Sequence, residues 1–126
     1  MIGRGIAALA LSLSLTATAH AATLFAGPLN PNLNEERLIC SVTNVGTTAR
    51  NVTIEIYGTV SGVGPGVVDS LGPFALSALD TVTISAATGF PDFPHVCKFT
   101  VPSKSVFRAV ACVGTITNER TCVPAQ

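Results

Sequence analysis

The stretch NVTIEIYG, Asn51 to Gly58, decides the fold class. Val52, Ile54 and Ile56 fall on one side of an extended chain, and Thr53, Glu55 and Tyr57 on the other. This period of two marks a half-buried strand. Upstream, RLICSVTN (37–44) sets Leu38, Cys40 and Val42 against Ile39, Ser41 and Thr43. Downstream, Val82 and Ile84 of DTVTISA share one face, as do Cys97, Phe99 and Val101 of VCKFTV. SVFRAVACVGT (105–115) is apolar on both faces, with Val106, Val110 and Cys112 against Phe107, Ala109, Ala111 and Val113. That predicts a strand central in its sheet or covered on its outer side. Short strands recurring between turn signals predict an all-β sandwich.

The connections fit this pattern. Asn44-Val45-Gly46 offers residues tolerant of positive φ at a chain corner. The glycine-rich SGVGPGVVDSLGPF (61–74) lacks the helix that a phosphate cradle needs, and Pro65 followed by Val67-Val68 predicts a hairpin or edge connection. ALSAL (75–79) is compatible with a strand or a short turn.

The first residues read as a targeting segment. Arg4, an apolar run from Ile6 to Leu15 and the small-residue ending Ala19-His20-Ala21 predict a secretory signal over 1–21. The run is shorter than the roughly 20 residues that span a bilayer, so no membrane span is expected. Residues 22–35, with Pro28, Pro31, Asn30, Asn32 and Asn34, predict a flexible lead-in, and 36–126 a single domain.

Without Arg4, six basic residues face seven acidic ones, which gives no electrostatic case for nucleic acid or an anionic membrane. All four cysteines, Cys40, Cys97, Cys112 and Cys122, follow the signal, and an even count in a secreted or periplasmic chain predicts two disulfides. Spacing leaves all three connectivities open.

Candidate chemistry concentrates in GFPDFPHVCKFTV (89–101), where Phe90, Asp92, Phe93 and His95 crowd ahead of Cys97. His95 is the only histidine beyond the signal, and no Gly-x-Ser-x-Gly elbow accompanies it. Asp92 and His95 flank Pro94, where polar residues of a solvent-facing turn are expected. Glu35-Glu36 beside Arg37 reads as a solvated charge cluster and not a glycosidase dyad. Zinc and blue-copper sites lack ligands: there is no C-x-x-C, one histidine, and no methionine after the signal. No metal, cofactor or catalysis is therefore expected. What remains is a stiff aromatic loop, Phe90 to His95, able to cap the core or to contact a partner.

The run CSVTNVG (40–46) followed by NVTIEI (51–56), with VCKFTV and SVFRAVACVG later, resembles bacterial immunoglobulin-like domains of the cell-adhesion-related type and small secreted bacterial proteins of one such domain. The resemblance covers most of Leu38 to Gly114 and lapses at ALSALD (75–80). It implies a two-sheet sandwich of about seven strands, with Cys40 on strand B bridged to Cys97 on strand F across the core. Cys112 and Cys122 are then left to staple the C-terminal tail. It also implies a non-enzymatic interaction or structural module, monomeric, with a protein or surface partner. The alternatives are a small-ligand binder using the Phe90–His95 loop and a polymerising surface subunit joined by strand exchange through its Pro/Asn-rich N-terminal segment.

Overall fold

The computed structural model describes residues 21–31, 36–60, 64–87, 94–115 and 118–126. Among the described residues eight strands follow one another: β1 (Ala22–Leu29), β2 (Arg37–Asn44), β3 (Arg50–Val60), β4 (Gly64–Leu76), β5 (Thr81–Ala87), β6 (His95–Val101), β7 (Phe107–Thr115) and β8 (Asn118–Pro124). They form two four-stranded sheets, ordered β1-β6-β3-β4 and β5-β2-β7-β8. Every pairing is antiparallel. No helix among the described residues is long and apolar enough to cross a membrane.

The alternation read from the sequence sets the core. Leu38, Cys40 and Val42 of β2, Val52, Ile54 and Ile56 of β3, and Cys97, Phe99 and Val101 of β6 are all buried between the sheets. β7 lies between β2 and β8, as an apolar strand requires, and sends Phe107, Ala111 and Val113 inward. Its start differs from expectation. Lys104–Val106 form a 3-10 turn capped by the Ser103 side chain, so the strand begins at Phe107 and not Ser105.

Residues 22–35 are not wholly a lead-in. Ala22–Leu29 form β1, which pairs with β6 and buries Leu24, Ala26 and Leu29. Prolines exclude a helix here but not an edge strand. A register shift between Ala26 and Leu29, with Gly27 at φ 120°, takes Pro28 out of the ladder. The domain therefore starts at β1 and not at Glu36.

β4 is the glycine-rich stretch, an edge strand against β3 whose register shifts twice. Leu76 closes it and a turn follows, with Leu79 at φ 61°, which divides ALSAL between strand and turn.

The strand order differs from that of an immunoglobulin domain, in which strands C, F and G share a sheet. With β2, β3 and β6 taken as B, C and F, the strand after F crosses to the other sheet beside β2, and β1 fills the place beside β6.

Two disulfides brace this frame. Cys40–Cys97 joins the two sheets through the core with a Cα–Cα distance of 5.8 Å. Cys112–Cys122 joins directly opposed residues of β7 and β8 on the outer face, at 4.1 Å. Cys112 and Cys122 stand in the same cross-strand row as Ile39, which is buried although it faces away from the core between the sheets.

Candidate functional site

Phe90, Asp92 and Phe93 lie outside the described residues. His95 is described, and it corrects the expectation of a solvent-facing turn residue: it opens β6 and is 3% exposed. The reason is the partner strand. Positions 52, 54 and 56 of β3 point inward, so 58 is the next inward position, and it is a glycine. A Cβ placed on Gly58 would stand 2.5 Å from both Cδ2 and Nε2 of His95, so the imidazole occupies the room that a side chain there would need. On the other flank, a Cβ on Gly27 would stand 2.9 Å from the His95 carbonyl oxygen. Two glycines thus admit the histidine to the end of the core.

On the outer face of the same sheet, β3 and β6 present Glu55, Tyr57 and Lys98. Lys98 Nζ lies 3.1 Å from Glu55 Oε2 and 5.7 Å from the centroid of the Tyr57 ring. The hydrogen bond and charge of Glu55 raise the Lys98 pKa above its ordinary value. Beside this group is an open concavity of about 450 Å3, lined by Tyr57, Gly58, Pro65, Gly66, Pro94 and Val96. Its described walls are the Tyr57 ring, two prolines, a valine and Thr59, a mostly apolar lining with a single threonine hydroxyl, suited to apolar contact.

A second concavity, of about 430 Å3, lies on the outer face of the other sheet among Ile39, Ser41, Thr83, Ser85 and Glu119. Its hydroxyls are largely engaged: Ser41 with Thr83 at 2.8 Å, and Ser85 Oγ accepting from Arg37 Nε at 3.1 Å. Nearby, the ligand atoms of Cys112, Glu119 and Cys122 lie within 4.8 Å of one another. Both sulfurs are in the bridge, so neither is the thiolate that a metal requires.

In the sequence Asn44 reads only as a corner residue, yet it is the buried hub of that end of the sandwich. Its Nδ2 donates to the Thr48 and Leu76 carbonyls, both at 2.9 Å, and its Oδ1 accepts from Gly46 N at 2.9 Å. Its backbone adds bonds from its own N to Asp80 O and from Leu79 N to its O. Neither Asn44 nor Gly46 has positive φ; the side chain and not the backbone makes the corner. The signal for Gly58 and His95 was present in the period-two register, which puts both positions inward.

No family model, curated protein or solved structure matches the chain.

Proposed function

We propose that the chain is a secreted or periplasmic, non-enzymatic interaction or structural module, exported by its N-terminal signal and built on an immunoglobulin-like sandwich. The observation that carries this reading is the Tyr57, Pro65, Pro94 and Val96 concavity on a doubly cross-linked frame. Apolar and aromatic side chains held on rigid strands, beside an ion pair, are the features by which protein surfaces hold partners. The bridge between β2 and β6 supports the immunoglobulin-like reading, and the placement of β1 and β7 sets this chain apart from the usual order.

The chemistry-bearing side chains support a role without catalysis. Among the described residues the cysteines are bridged, Glu55 is held by Lys98, and His95 fills the space over Gly58. Pro94 of the Phe90–His95 stretch lines the concavity, and this favours a second reading in which it receives a small apolar ligand.

Partner capture from the envelope and secreted fractions tests the module reading, with wild type compared with Tyr57→Ala and with Phe90→Ala/Phe93→Ala. A protein retained by wild type and lost with Tyr57→Ala is the expected result. Equal retention by all three proteins would remove this face from the account.

A further inference from the structure

We propose that the Cys112–Cys122 bridge is a thiol-exchange site, and that through the C-terminus it latches the N-terminal strand onto the sandwich. The two bridges differ in access. Cys40 and Cys97 are both 0% exposed, whereas Cys122 is on the surface with its partner just beneath it. Thiol–disulfide exchange requires an attacking thiolate to reach a sulfur, so access alone orders the two bridges.

The outer bridge also has a mechanical position that the inner one lacks. Among the described residues β8 is an edge strand paired only with β7, and most of its side chains face solvent. Immediately beyond it, Ala125 N donates to Ala109 O at 2.9 Å, and Gln126 forms a reciprocal pair with β1: Phe25 N donates to Gln126 O at 2.9 Å, and Gln126 N to Phe25 O at 3.0 Å. The C-terminal residues therefore connect the free side of β1, in one sheet, to β8, in the other. β1 carries Leu24, Ala26 and Leu29 into the core, so whatever holds its free side also keeps that part of the core closed.

The step takes a small dithiol as reductant. Its thiolate attacks Sγ of Cys122, forming a mixed disulfide and expelling Cys112 as a thiolate that takes up a proton. The second thiolate of the reductant then attacks its own sulfur in the mixed disulfide, closes a cyclic disulfide and releases Cys122, which is protonated in turn. Two electrons pass to the protein and the dithiol is oxidised. β8 loses its covalent tie, the Phe25–Gln126 pair loosens with it, and β1 opens more often from the edge of β6.

Graded dithiothreitol treatment of the oxidised protein, with maleimide trapping, peptide mapping and amide hydrogen exchange, tests this. Cys112 and Cys122 should be trapped while Cys40–Cys97 stays closed. In that singly reduced species the Phe25 and Gln126 amides should exchange about tenfold faster or more. The Cys112→Ser/Cys122→Ser variant should show the same fast exchange without reductant. Reduction of Cys40–Cys97 first or simultaneously would overturn the proposal. Unchanged Phe25 exchange in the singly reduced protein would do so too, whether or not the variant folds.

Discussion

His95 and Gly58 share one packing position: the imidazole of β6 lies where a side chain of β3 would otherwise stand, 2.5 Å from the site of a Gly58 Cβ. Gly58→Ala should therefore displace the ring and cost about 1–3 kcal/mol, the usual range for overpacking a core. In a His95→Ala background the same change should be tolerated, since the ring is gone. Urea unfolding of the two single variants and the double variant measures the coupling. Additive losses would show that the two residues do not compete for space.

The two bridges should not be equivalent in stability. Chain entropy alone gives about 4 kcal/mol for a loop the length of Cys40–Cys97 and about 3 for Cys112–Cys122. Their sequence separations are 57 and 10. Cys40→Ala also leaves a cavity and an unpaired thiol in a fully buried site, whereas Cys122→Ala opens onto solvent. Thermal or urea unfolding should rank Cys40→Ala well below Cys122→Ala, and equal losses would contradict the core position of the first bridge.

Asn44→Ala removes all three side-chain hydrogen bonds of the buried hub and strands the Leu76 carbonyl. Buried groups left without partners cost about 1–3 kcal/mol each, so a loss of about 2–4 kcal/mol is expected. Hydrogen exchange should quicken at Asn44 and Leu79, whose amides hold the β4–β5 turn against β2. A loss no larger than that of a surface substitution would remove Asn44 from this role.

Glu55 raises the Lys98 pKa, so folding favours the protonated amine. The contribution is fully present below the unfolded-state value of about 10.4 and is lost as pH rises through the higher folded value. It is small, because the pair is on the surface. The stability difference between wild type and Glu55→Gln should be slight at neutral pH and vanish in strong alkali. A difference that grows with pH above that range would have the wrong sign.

Much of this fold is legible residue by residue. Inward positions of β2, β3 and β6 follow from strict alternation, because burial of one face forces a period of two. β1 was harder to read, since Pro28 and the neighbouring asparagines mask two inward apolar residues, Leu24 and Ala26, before a register shift. The Asn44 hub could not be read, because its partners at Leu76 and Asp80 come close only when both sheets are assembled. The Tyr57 concavity is likewise a product of pairing, with Pro65 from β4 and Pro94 from the approach to β6 meeting at one end of β3.

Central to the account is a sandwich completed within one chain, with β1 seated beside its own β6. Phe25 and Lys98 are direct cross-strand partners in that pair, so a Phe25→Cys/Lys98→Cys variant reports the seating directly. Oxidised in dilute solution and run without reductant, it should give a monomer whose peptide map contains a 25–98 cross-link within a single chain. Cross-linking between chains, giving dimers or a ladder, would contradict the account and favour strand exchange.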